Sequence, residues 1–296
     1  MDIGVALPQM APDYGPRTTV RWSRGIDEGP FSSVSAGERV TFTNPEMVAS
    51  LAAAAAVTER VRVMANVWVL PQHPPPMVAQ QVGTLDQLSG GRLTVAVGIG
   101  GREEDYLALG SPLHRRHQRL DEAVAELRRL LDGGPAYDGG AAVGPLPVQP
   151  GGVPVLAGAL GPRAMARAAR WADGVSGFSV AGKRRDFVSV NRLADEAWAA
   201  EGRPSPRKVS GFFFCLGVDD PLPRLRTFTE RYLGFLGPDL AAARAAEVHL
   251  PDEDAVTRAL DDAQEAGCDE VVLVPATADP ACLDAAADLV AARQSR

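Results

Sequence analysis

The chain has little of what most catalytic chemistries require. Its 296 residues include four histidines, His73, His114, His117 and His249, and three cysteines, Cys215, Cys268 and Cys282. The odd, scattered cysteines match no zinc-ligand spacing and predict reduced, buried thiols, with neither disulfide nor metal. No HExxH, Walker A, Ser/His/Asp order or paired acidic motif occurs. Basic charge is short as well. Thirty Lys and Arg against 37 Asp and Glu give a formal net charge of -7, which argues against nucleic acid or an anionic membrane as partner. The most apolar stretch, "MVASLAAAAAV", is too short to cross a bilayer, and "MDIGVALPQM" has no basic segment ahead of its apolar run. A cytoplasmic protein is expected. With 46% hydrophobic and 23% charged residues, it can bury a sizeable core.

What is present is alternation. Short apolar runs lie at "IGVALPQ" 3–9, "FSSVSAG" 31–37, "VRVMANVWVL" 61–70 and "RLTVAVGIG" 92–100. Four more follow at "VPVLAGA" 153–159, "GVSGFSV" 174–180, "KVSGFFFCLG" 208–217 and "EVVLVPA" 270–276. Amphipathic segments separate them. "NPEMVASLAAAAAVTER" reads as a helix with Asn44 as N-cap and Pro45 in its first turn. "HQRLDEAVAELRRLLDGG" carries Leu120, Val124, Leu127 and Leu131 at helical spacing before its glycines. Eight strand–helix units predict an α/β fold, a single (β/α)8 TIM barrel over 1–296, with a doubly wound sheet as the alternative. The Gly/Pro-rich stretch 133–152 is read as a long loop rather than a linker, because cutting there leaves two half-barrels without a complete sheet.

In a closed barrel the chemistry sits on the loops after the strands' carboxyl ends. That places Gln9, Glu38 and Arg39, 66–68, 98–102, 158–163, Phe178, Cys215 and Pro275 at one mouth. "GIGGRE" fails the dinucleotide fingerprint, because Glu103 stands where the third glycine is needed. Its glycines, with Arg102, and the "AGALGPR" turn ahead of a helix both suit an anion, or else simply make tight turns. Glu38 beside Arg39 is the densest charged pair in the mouth, and neighbours of opposite sign often only pair with each other. His73 in "LPQHPPP" lies past the third strand and reads more readily as a solvated loop residue. Val67, Trp68 and Phe178 make the mouth apolar and suited to a flat aromatic guest. With so few acids, bases or nucleophiles, the site fits a cofactor that brings its own chemistry.

At this point the stretch from "LAAAAAVTERVRVMANVWVLPQHPPPMVAQQVGTLDQLSGGRLTVAVGIGG" to "RRHQRLDE", with "PVLAGALGPRAMARAARWADGV", resembles the bacterial luciferase-like superfamily of flavin- and F420-dependent oxidoreductases. "TLDQLSGGR" carries most of that resemblance. It implies a barrel holding FMN or coenzyme F420 at the strand carboxyl ends, its phosphate near the loops after the fourth and fifth strands. It also implies a cis peptide in the third strand, here Asn66–Val67. Reduced FMN oxygenates a small organic substrate, whereas F420 exchanges hydride. Glu38 and Arg39 take the catalytic positions, and Asn66, Val67, Trp68, Gly98, Gly100, Arg102, Gly158, Ala159 and Arg163 the cofactor-binding ones, with no metal. Members often place a histidine where Arg39 stands, and luciferases place a phosphate-binding arginine where Ile99 stands. A homodimer and a flavin reductase supplying reduced cofactor are further expectations of the resemblance. A luciferase-like monooxygenase using reduced FMN is the leading reading, ahead of F420-dependent hydride transfer. Another phosphate-binding barrel such as an isomerase or aldolase, and a barrel that binds flavin without turnover, are the competing ones.

Overall fold

Each of the eight apolar runs forms a strand, and the strands close into one parallel barrel in sequence order. The structure, a computed structural model, describes residues 1–295. The first half runs β1 (Asp2–Ala6), α1 (Thr18–Glu28), β2 (Ser33–Ala36), α2 (Met47–Val57), β3 (Arg62–Trp68), α3 (Pro75–Leu88), β4 (Leu93–Val97), α4 (Glu103–Ala108) and α5 (Arg116–Leu131). The second half runs β5 (Val155–Ala157), α6 (Pro162–Ala168), β6 (Gly174–Ser176), α7 (Arg184–Ala200), β7 (Arg207–Phe214), α8 (Pro221–Leu233), α9 (Pro238–Ala246), α10 (Glu253–Glu265), β8 (Glu270–Pro275) and α11 (Pro280–Gln294). Closure is made by β1 pairing with β8, in register from Asp2↔Glu270 to Val5↔Leu273.

The strands read as continuous apolar runs because both faces are covered. Inside, Ala6, Met64, Ala96, Leu156, Val209 and Val272 pack as one layer. Outside, residues such as Val5, Val34, Val63 and Val95 pack into the large core beneath the helices. Below the inner layer, at the strands' amino ends, Glu270 accepts hydrogen bonds from the hydroxyls of Ser32 and Ser33 and pairs with Arg62 and Arg207. A Cβ at Gly4 would lie 2.0 Å from the Ser33 hydroxyl, so the chain leaves that position bare and the polar plug closes the base.

The second helix starts two residues later than its sequence suggests. The carboxylate of Glu46 caps α2, accepting from the amides of Val48 and Ala49. Asn44 instead donates its side-chain amide to the carbonyls of Arg39 and Pro45, which ties down the loop that carries Arg39.

Residues 133–152 lie in the connection from β4 to β5, which pair directly, Val95↔Val155. The loop is pinned to α3. Asp86, fully buried, accepts from the backbone amides of Val148 and Gln149 and from the Gln149 side chain.

Candidate active site

A cavity of about 420 Å³ opens at the strands' carboxyl ends, within the range of small-ligand sites. Ala6 and Val272 of the inner layer form its floor, and Asn66, Val67, Gly98, Gly100 and Gly158 line one side. Phe178 and Phe213, edge to face at 4.8 Å between centroids, line another. The roof comes from the end of α8 and the turn after it, through Phe228, Tyr232 and Phe235.

The third strand shows how backbone geometry selects the side chains. Strict alternation would put Met64, Asn66 and Trp68 on one face. The ladder with β4 slips between Asn66 and Trp68, and the Asn66–Val67 peptide is cis. The register slip presents both Asn66 and Val67 to the cavity and returns Trp68 to the outer layer. There Trp68 is 1% exposed, in the core under the helices. Asn66 Oδ1 accepts a 2.7 Å hydrogen bond from the Ser176 hydroxyl, which holds it across the barrel.

The two charged neighbours of the β2 loop do not pair with each other. Glu38 Oε2 accepts from the Val69 amide at 2.7 Å, and its Oε1 lies 2.6 Å from His73 Nε2. The Arg39 guanidinium lies 3.6 Å from the centroid of the Tyr232 ring and donates Nη2 to the Tyr232 carbonyl at 2.8 Å. Arg39 is 8% exposed, and burial pulls its pKa below the usual arginine value. Arg102 lines the cavity but spends its donors on Asp105 and on Thr41. Asp105 also accepts from the amides of Val40 and Thr41 and from the Thr41 hydroxyl. Burial raises its pKa, but those hydrogen bonds and the Arg102 charge outweigh burial and hold the carboxyl below its ordinary value.

Of the residues expected at the mouth, Gln9, Glu38, Arg39, Asn66, Val67, Gly98, Gly100, Arg102, Gly158, Phe178 and Pro275 line the cavity. Four do not. Trp68 faces outward for the reason given. Ala159 packs its methyl among Met165 and Ala168 under α6. Arg163, in the first turn of α6, points to solvent. Cys215 is buried in the core beneath the helices. The glycine amides also differ from expectation: Gly98 N–H donates to Trp68 O and Gly158 N–H to Val97 O, so both serve the sheet. Their lack of a side chain matters more, because a Cβ at Gly98 would sit 2.8 Å from Val67 Cγ1.

The roof aromatics escaped the sequence reading, and His73, read there as a solvated loop residue, reaches Glu38. A signal for the roof exists in "FTERYLGF", where Phe228, Tyr232 and Phe235 recur at helical spacing.

Fold and cavity together define a (β/α)8 barrel with a small-molecule-sized cavity at the end where such barrels carry their chemistry. The family model described as luciferase-like monooxygenase matches residues 1–272, and the chain belongs to that oxidoreductase family. An uncharacterized protein of Mycobacterium tuberculosis is 34% identical over 205 residues, 64% of this chain and 68% of the relative. Among solved structures, a monooxygenase from Streptomyces bottropensis superposes with TM-score 0.81 at 22% identity, over 99% of this chain and 100% of that one. An F420-dependent secondary alcohol dehydrogenase, in complex with an F420-acetone adduct, superposes with TM-score 0.82 at 18% identity, over 98% of each chain. The oxygenating constituent of a Pseudomonas putida Baeyer–Villiger monooxygenase, in complex with FMN, gives 0.73 at 16%, over 98% of this chain and 96% of that one. At these identities the superpositions show the shared fold. No helix among the described residues is long and apolar enough to cross a membrane.

Proposed function

We propose that the cavity holds a flat redox cofactor, FMN or F420, and that the chain is an oxidoreductase acting on a small organic substrate. Oxygenation with reduced FMN is the leading reading and F420-linked hydride transfer the second. The observation that carries this reading is a set of buried polar atoms in the wall without a partner: both amide atoms of Gln9, Gln72 Oε1 and Arg39 Nη1. Buried polar groups are nearly always satisfied, and a carboxamide, donor and acceptor at once, complements the alternating carbonyl and N–H edge that flavins and deazaflavins share. The missing side chains at Gly98 and Gly158 make way for Val67, and that at Gly100 for Val69, and the two valines present an apolar wall to the cavity against which a planar ring can lie. The residues present therefore fit the group.

In this reading Asn66, Val67, Gly98, Gly100 and Gly158 hold the cofactor, and Gln9 and Gln72 hydrogen-bond to it. The bound cofactor supplies the electrons for reducing oxygen or for exchanging hydride with carbon. The chain's own residues do the rest. Phe178, Phe213, Phe228 and Tyr232 exclude water, and Glu38, backed by His73, holds or moves a proton at its carboxylate.

The test is a parallel titration of the purified protein with oxidised and reduced FMN and F420, followed by absorbance and fluorescence. Selective binding of one, with oxidation of its reduced form on adding oxygen or substrate, supports the reading. Binding of neither overturns it, and binding without turnover in any redox state favours a barrel that only carries flavin.

A further inference from the structure

The roof of the cavity carries more cation than its neighbours neutralise. Around the Phe42 ring sit three guanidinium groups, of Arg39, Arg102 and Arg231, at 4.8, 5.8 and 4.5 Å from its centroid. Asp105 is the acid of that cluster, and Arg102 and the Thr41 and Val40 groups occupy it. Glu38 is engaged by His73 and the Val69 amide. Arg231 donates to Met10 O and the Thr43 hydroxyl. Arg39 therefore has one carbonyl and aromatic faces for company, no ion-pair partner among the described residues, and a buried Nη1 that donates to nothing.

Such a group cannot escape its charge by losing a proton at any ordinary pH. An uncompensated buried cation is costly, whereas a planar oxyanion meeting the free edge of a guanidinium makes a short, charge-assisted hydrogen bond. The rings of Tyr232, Phe42 and Phe235 lie with centroids 3.6, 4.8 and 5.5 Å from the guanidinium carbon of Arg39, and Nη1 is the donor left to offer. This suits a carboxylate on a planar apolar body better than a hydrated phosphate.

We propose that Arg39 anchors the carboxylate of the substrate, and that the substrate class is a small aromatic or conjugated organic acid. Its carboxylate takes Nη1 of Arg39, and its planar body lies against Phe178, Phe213 and Phe228. The proposal rests on the reading of the cavity as a substrate site beside a cofactor, but the recognition step involves no redox chemistry and is measured separately.

The experiment is calorimetric titration of the full chain with two matched pairs, benzoate against benzamide and cinnamate against cinnamamide, without cofactor and with FMN or F420 present. The acid is expected to bind about 10- to 100-fold tighter than its amide, the worth of one hydrogen bond to a charged partner. Arg39→Gln should bring that ratio to about one, and Arg39→Lys, which keeps a cation without the fork, should retain part of it. Equal affinity of acid and amide in the wild type, no binding of either, or a preference unchanged in Arg39→Gln overturns the proposal. The wild-type ratio is decisive even if a variant fails to fold. A second arm compares FMN with riboflavin. If Arg39→Gln abolishes a preference for FMN and leaves that for benzoate, the oxyanion belongs to the cofactor and the proposal falls. A wild-type preference for the acids in a protein that binds neither FMN nor F420 leaves the anchor standing and removes the redox reading.

Discussion

His73 Nε2 lies 2.6 Å from Oε1 of Glu38, so a histidine from the loop after β3 reaches the acid at the end of β2. The resembling family often supplies its histidine from the β2 end itself, where this chain has Arg39. In this chain the acid–imidazole contact is made from the loop after β3. The His73 side chain is 23% exposed and that of Glu38 10%, which joins solvent to the cavity through two hydrogen-bonding groups.

If protons enter by that route, Glu38→Gln should lower turnover with reduced cofactor by about 100-fold or more, in the range of lost general acid–base catalysis. His73→Ala should lower it less, leave cofactor affinity intact and respond to added imidazole. Steady-state rates across pH, with and without imidazole, check this. A His73→Ala enzyme that keeps the wild-type rate and pH profile would sink the relay.

The irregular register in β3 makes neighbouring residues experimentally distinct. Val67→Phe fills the cavity beside Gly98 and should weaken FMN or F420 binding by at least about tenfold, the order of a steric clash of one to three kcal/mol. Trp68→Phe, in the outer layer, should lower thermal stability and leave cofactor affinity unchanged. Fluorescence titration paired with thermal melts separates the two; equal effects on binding would place Trp68 at the cavity after all.

Asp105 ties the β2 loop to the start of α4, and its folded-state pKa lies below its unfolded one. A depressed carboxyl contributes stability that is present above the unfolded value, 3.8, and is lost as pH falls through the folded one. Asp105→Asn should therefore cost about 1–3 kcal/mol near pH 7. Its melting curve should begin to approach the wild type as pH falls below 3.8 and meet it only below the lower, folded-state value. A gap that persists into acid would show that packing, rather than ionisation, carries the contribution.

Gly83 lies inside α3, where alanine is ordinarily favoured by about 1 kcal/mol. Here a Cβ would lie 1.8 Å from the Pro145 carbonyl oxygen. Gly83→Ala should reverse the usual sign, destabilising the protein by about 1–3 kcal/mol and speeding proteolysis within 133–152. Cofactor binding should be untouched. Stabilisation by the substitution would mean the loop does not rest on α3 in solution.

The barrel was legible because its signals are local. Apolar runs punctuated by glycine and helix caps do not depend on distant partners, and all eight strands lie inside the runs read from the sequence or within a residue of them. Much of the cavity followed, since a closed barrel puts strand ends together. What escaped depends on contacts between distant residues. The exit of Trp68 follows from one slipped position against β4. The distance between His73 and Glu38 follows from how a loop folds back, and the solvent exposure of Arg163 from which way a short helix turns. Asn44 looked like a cap because its type favours capping; the structure uses it to hold the Arg39 loop and gives the cap to Glu46. The roof was legible as an aromatic spacing on α8 but not as a roof, since nothing local says which cavity a helix covers.

The pairing of β1 with β8 also bears on how the chain acquires its shape. Asp2 lies in the first strand of the barrel and its partner Glu270 in the eighth. Until that segment emerges from the ribosome, β1 and β7 each present an unpaired edge, and the polar plug at the base lacks its central carboxylate. Such edges invite pairing with other chains, and contacts between the two ends of a sequence are the slowest to form. Fragments ending before residue 270 should accordingly aggregate rather than fold in part.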